Sequence, residues 1–412
     1  MSTAHTNPAP HTQTNVGTSA SAPARAAATA GSRDIRLDFF RGIAMFIILI
    51  AHIPFNRLSN YIPARYGWSD AAEIFVFCSG MASALAFGKV FVTRGWGMGL
   101  ARVAYRCWQV YWAHVCLFLA VAATKAAIDL SGVWQAYGSF DKNFVDSMGI
   151  TRFFDQTQEA LIGLLTLTYV PNYFDILPMY LVILGMIPLV MAAARVHPWL
   201  AMGGCVAVWA VAQTGALDLP AEPWGDRPWF FNPFGWQLVF FTGFAFMRGW
   251  LPKPPVTTGL IALAAVFLIA SVPFGRWQIW TQVPWIESWR DANTILFAKT
   301  EEGILRYLHF LAMAYLAWAA AGPGGARLMT GGHGALARLW DGARGVILKV
   351  GQQSLAVFIF SMWAAQMLGF ALDFTAERGW GPTLAVNLAG MAMVVGVAYL
   401  AAWFKSAPWR GR

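Results

Sequence analysis

Residues 38–56 read DFFRGIAMFIILIAHIPFN, a run with Arg41 near one end and His52 near the other. As a helix such a run is long enough to cross about 30 Å of hydrocarbon. Charged groups within it are costly to bury, which marks them as functional candidates. The step from Arg41 to His52 is close to three turns at about 3.6 residues each, so both side chains share a face, about 16 Å apart along the axis. Asp38, three residues before Arg41, is spaced to pair with that guanidinium.

Working outward, apolar runs of the same kind recur near 70–92, 102–123, 173–194, 198–216, 233–250, 256–274, 303–321, 347–371 and 381–404. A chain of 412 residues that is 58% hydrophobic and 12% charged cannot build a water-soluble surface. The expected fold is therefore all-α: a polytopic integral membrane protein with about ten transmembrane helices. A further run, Leu161 to Val170, is too short to cross and is read as re-entrant or interfacial. Residues 1–32 are rich in Ala, Ser, Thr, Pro and Asn and are expected to form a disordered cytoplasmic tail. Residues 33–405 form the transmembrane domain and 406–412 a short basic cytoplasmic tail. The first apolar run reads as an uncleaved helix, not a secretory signal.

The net charge of +9 does not point to nucleic acid, because the basic residues sit at helix ends. Placing both termini in the cytoplasm puts about 17 basic residues on that side against about 11 opposite, as the positive-inside rule requires. That side holds the connections with Lys89, Arg94, Arg102 and Arg106, and with Arg327, Arg338, Arg344 and Lys349. Cys78, Cys107, Cys116 and Cys205 all fall in apolar runs and read as small packing residues, so neither disulfide nor metal site is expected. Nothing in the sequence fixes the oligomeric state.

In this topology Asp38 and Arg41 lie toward the cytoplasm and His52 toward the outer half. Arg41 offers a fork of donors for phosphate or carboxylate, and His52 can take a proton from an attacking hydroxyl near neutral pH. The second run opens at the outer side with Ser69-Asp70-Ala71-Ala72-Glu73. There Asp70 is a helix-cap candidate, and Glu73 lies at a depth where it could orient the His52 imidazole. Asn56, Asp70, Asn172, Asp175, Arg306 and His309 approach the same outer level and are candidates for binding an acceptor or an acyl carboxylate, Arg306 foremost for the carboxylate. His114 reads as a packed histidine. The outer connections carry Trp134, Trp224, Trp229, Trp277, Trp280, Trp285 and Trp289, an interfacial belt or a set of flat faces for sugar rings.

Arg36-Leu37-Asp38-Phe39-Phe40-Arg41-Gly42 with His52, then Ile53-Pro54-Phe55-Asn56 and Gly67-Trp68-Ser69-Asp70-Ala71-Ala72-Glu73-Ile74-Phe75-Val76-Phe77-Cys78-Ser79-Gly80, resembles the OpgC family. That family belongs within the acyltransferase-three superfamily. Arg41 and His52 match the superfamily's Arg-x10-His spacing, and Ser69 to Glu73 match the narrower family stretch. The resemblance implies a bacterial inner-membrane O-succinyltransferase. Its donor would be succinyl-CoA or another acyl-CoA from the cytoplasm, its acceptor a periplasmic glucan, with no tightly bound cofactor. Asp38 and Arg41 would then bind the donor, with His52 and Glu73 catalytic.

A secondary transporter or flippase for a glycan or organic anion would use the same buried charges for gating, but no internal repeat of the kind such proteins carry is visible. A plain membrane anchor for a partner enzyme accounts for the spans and leaves the shared face of Asp38, Arg41 and His52 without a purpose.

Overall fold

The computed structural model describes residues 34–133, 136, 142–375 and 379–410. The tail expected over 1–32, together with Arg33, Trp134 and Arg412, lies outside them. Among the described residues the fold is helical, with one isolated bridge between Pro220 and Pro228 in place of any strand. The principal helices are α1 (Ile35–His52), α2 (Ala71–Thr93), α3 (Trp96–Ser131), α4 (Thr157–Thr166), α5 (Ile176–Val196) and α6 (Pro198–Ala212). They continue with α7 (Pro233–Arg248), α8 (Thr258–Gly275), α9 (Ile304–Ala321), α10 (Ala335–Gln352), α11 (Ser354–Asp373) and α12 (Trp380–Lys405).

Every expected span but that at 347–371 falls on a single helix, and among the described residues seven helices (α2, α3, α5, α8, α9, α11 and α12) are long and apolar enough to cross a membrane. The others fall short for different reasons: α1 carries Arg36, Asp38 and Arg41, while α6 and α7 have 15 and 16 residues. Helix α8 buries only Ala264 and Ser271 and turns Leu263, Val266 and Ile269 outward. Apolar surface of that extent marks a face that meets lipid or another protein, and the helix is long and apolar enough to cross a membrane. Helix α4, at ten residues, reaches about 15 Å and is too short to cross.

One region differs from the expectation. The segment bearing Arg338, Arg344 and Lys349, expected as a connection, is the 18-residue helix α10, and the expected span at 347–371 breaks at Gln353 into α10 and α11. Helix α10 packs tightly on α1 because both are small where they meet: a Cβ at Gly42 would strike the Ile347 carbonyl, and one at Gly351 the Asp38 carbonyl. The α2–α7 crossing is built alike, with Gly80 against the Phe240 carbonyl and Gly243 against the Phe77 carbonyl. With no hydrophobic drive between helices in lipid, such close backbone approach supplies the dispersion contact that holds them. Helix α1 is thereby enclosed by α2, α10, α11 and α12, so its polar face looks into protein.

Candidate active site

Helix α1 borders two cavities. One of about 290 Å³ is lined by Arg41 with Arg102, Arg106, Tyr105, Ser79 and Ser83. Part of its wall is a π-helical turn in α2 at Ala84–Gly88, which widens the helix beside it. The other, of about 940 Å³, is lined by His52, Asp70, Asn172, Tyr173, Lys125, Lys142 and Lys299 among others. Arg41 and His52 thus both face cavities. The cavities are separate, however: Phe75 lines the first and Phe358 the second, and the two rings stack at 5.5 Å.

The His52 ring is fixed by its own helix. Nδ1 lies 2.7 Å from the Ile48 carbonyl oxygen, and a carbonyl only accepts, so Nδ1 carries the proton and Nε2 keeps its lone pair. Tyr173 packs edge-on against the imidazole at 5.4 Å. Glu73 is not its partner, which corrects the expectation. Asp70 and Glu73 form a capping box at the start of α2: Asp70 accepts from Ala72 N–H at 2.7 Å, and Glu73 turns back to accept from Asp70 N–H at 2.8 Å. The other Glu73 oxygen pairs with Arg306.

Arg306 is likewise reassigned. Expected to meet a substrate carboxylate, it is buried among Asp70 at 3.2 Å, Glu73, and Glu302 at 3.5 Å. A buried cation is tolerable only when neutralised, and here protein carboxylates do so. Lys299 adds a second cation, 2.5 Å from Asp70. Burial opposes the charge on Asp70, but Lys299 and Arg306 outweigh it and hold the carboxyl well below the usual range. Burial, with the neighbouring Glu73, drives Glu302 well above it. Lys299 and Arg306 supply the positive charge beside Asp70, Glu73 and Glu302. His309 braces the same turn: its Nδ1 accepts from Ser69 N–H at 3.3 Å and faces Ser69 Oγ at 2.7 Å, while Gly67 leaves room for its ring.

Three further expectations shift. Asn56 is 2% exposed and satisfied by protein: its Nδ2 donates to the Ile50 carbonyl at 2.9 Å and to Asn387 Oδ1 at 3.0 Å, and its Oδ1 accepts from Asn387 Nδ2 at 2.9 Å. It clasps α1 to α12 and is not in the cavity wall. Arg41 does not pair with Asp38; it donates to the Cys78 carbonyl at 2.6 Å, and its Nε has no hydrogen-bond partner among the described residues. The tryptophans of the outer connections, among the described residues, do not line the His52 cavity, whose aromatic faces are Phe55, Phe144, Tyr173, Phe230, Phe231, Phe358 and Phe370. Asp70 and Asn172 do line it, the latter held by Arg227 at 2.8 Å.

Asp175 also lies outside the wall, buried at the start of α5 where Oδ1 accepts from Phe230 N–H at 3.0 Å. Burial raises its carboxyl from an ordinary 3.8 to about 7, with the Phe230 N–H and Arg227 offsetting only part of that. The fold favours its protonated form, so its contribution to stability is full near 3.8 and is lost as pH climbs toward 7. Asp175→Asn, neutral throughout, is expected to flatten this slope. Thermal midpoints of detergent-solubilised protein at pH 4.5 and 7.5 check it; a variant with the wild-type slope would show that another group sets it.

Sequence reading alone does not single out Lys125, Lys142 and Lys299, which all line the His52 cavity. Lys125 does leave a signal, a lone cation following a long apolar run. His114 is fully buried with neither ring nitrogen hydrogen-bonded among the described residues, a packed residue. Among the described residues no group of three or more His, Cys, Asp or Glu is placed to hold a metal ion.

A family model described as OpgC protein matches residues 33–406. No curated protein and no solved structure matches the chain.

Proposed function

The chain belongs to the OpgC protein family, and from that premise we propose that it is a membrane O-acyltransferase of the bacterial inner membrane. It moves a succinyl group from cytoplasmic succinyl-CoA to hydroxyls of a periplasmic glucan. In this reading ten helices cross the bilayer with both termini in the cytoplasm. The Arg41 cavity then opens inward and the His52 cavity outward.

The observation that carries the reading is the His52 tautomer. With Nδ1–H spent on the Ile48 carbonyl, Nε2 is the free base beside a cavity of about 940 Å³, large enough for part of a sugar chain. Nε2 takes the proton of a glucan hydroxyl as its oxygen attacks the thioester carbonyl. The tetrahedral oxyanion collapses, the C–S bond breaks, and the imidazolium returns the proton to the departing thiolate. Asp70 and Asn172 in the wall offer acceptors and donors to sugar hydroxyls. On the inner side Arg41, with Asp38 buried on the same turn and Arg102 and Arg106 across the cavity, offers guanidinium donors to the phosphates of the donor. The acyl arm reaches His52 only if the Phe75 and Phe358 rings part.

Mass spectrometry of envelope glucans tests this: deleting the gene is expected to remove the mass and negative charge of a succinyl ester, and glucan that keeps its ester overturns the reading. Two cavities with the stacked Phe75–Phe358 pair between them also suit a transporter of a glycan or organic anion. Unmodified glucan trapped in the cytoplasm of the deletion strain would decide for that alternative.

A further inference from the structure

Two of the three lysines on the His52 cavity are already engaged, Lys299 with Asp70 and Lys142 with Asp373, each at 2.5 Å. Lys125 is different. It is 4% exposed, yet among the described residues its ammonium has no hydrogen bond or ion pair, and it lies 5.5 Å from the Phe144 ring. The neighbouring carboxylates are committed elsewhere: Asp129 accepts from Phe144 N–H and Val145 N–H, both at 2.9 Å, and Asp373 holds Lys142. A buried ammonium has three donors and pays heavily for leaving them without acceptors. These donors open on a wall that carries Lys125, Lys142, Lys299 and Arg65 against a single carboxylate, Asp70. Such a surplus of positive charge in a recess attracts an anion.

We infer that Lys125 receives a substrate carboxylate in this cavity, namely the free carboxylate at the far end of the transferred acyl group, and so selects dicarboxylic over neutral acyl donors. The inference rests on the acyl-transfer reading. It falls to Lys125 because the other candidate cations are placed differently: Arg306 is buried among Asp70, Glu73 and Glu302, Arg65 donates from an exposed position to the Ser59 carbonyl, and Arg41 lies in the other cavity. A carboxylate carried by the sugar acceptor would suit the same ammonium, and the experiment separates the two sources.

The full-length protein in vesicles is given succinyl-CoA or butyryl-CoA, which match in carbon count and differ in the carboxylate, with a neutral oligosaccharide as acceptor. Lys125→Met is expected to lower the ratio of succinyl to butyryl transfer by about ten- to a hundredfold, the value of one charge-assisted hydrogen bond, mainly through KM. Lys125→Arg is expected to keep most of the preference. A Lys125→Met enzyme with the wild-type ratio overturns the inference, as does a loss seen only with a carboxylate-bearing acceptor. Should wild type transfer neither group, acyl transfer itself is what fails. Calorimetry with free succinate then still decides the site: binding to wild type that is lost in Lys125→Met supports it, and equal binding or none to either overturns it.

Discussion

His52→Ala is expected to lower the rate of glucan esterification by about 10²- to 10⁴-fold, the usual value of a positioned general base, while the yield of folded protein stays at the wild-type level. The second half of that expectation comes from the contacts. Among the described residues the imidazole hydrogen-bonds only to the carbonyl of Ile48 on its own helix and packs edge-on against Tyr173, so among them its removal breaks no hydrogen bond between helices. The loss falls on kcat, since the ring holds neither donor nor acceptor in the ground state. Purified protein in vesicles, assayed for ester formation and for its thermal midpoint, checks both halves. A well-folded variant that still esterifies glucan at the wild-type rate would remove His52 from the chemistry.

Arg306→Met carries the largest expected cost in stability, about 3–5 kcal/mol, because it strands buried carboxylates without their cation. Asp70 and Glu73 would face Lys299 alone, and the turn that sets the outer wall of the His52 cavity would lose its anchor. Glu302→Gln makes the contrast. Burial favours the neutral form of its carboxyl, so a neutral amide of the same shape is expected to shift the thermal midpoint by a small fraction of the Arg306→Met effect. If Arg306 bound substrate rather than protein, Arg306→Met would fold like wild type and lose only activity. Paired midpoint and activity measurements distinguish the two.

The spans are legible in the sequence because a run of about twenty apolar residues has nowhere to go in water and fits the thickness of a bilayer. Helix α10 is harder to see because Arg338, Asp341, Arg344 and Lys349 break its hydropathy, although its apolar residues recur at helical spacing. For Glu73 the correct signal is present: Asp70 followed three residues later by Glu73 is a capping box, which commits the carboxylate to its own helix start and away from His52. Depth along the spans places Arg306 and His309 at the right level. Apart from Glu302, four residues before Arg306, their partners Ser69, Asp70 and Glu73 lie more than two hundred residues away in sequence, and no local pattern encodes such a meeting. Lys125 is hidden because hydropathy ends the third span near 123. The helix runs to Ser131, which turns a loop lysine into a buried one.

The clasp between Asn56 and Asn387 has a consequence for biogenesis. The outer end of the helix bearing His52 is sealed by an amide that the ribosome delivers only in the final stretch of the message, 331 positions later. Insertion can proceed from the front, but competence arrives last. A chain released early would lack Asn387, and the end of the helix bearing His52 would be left without this clasp.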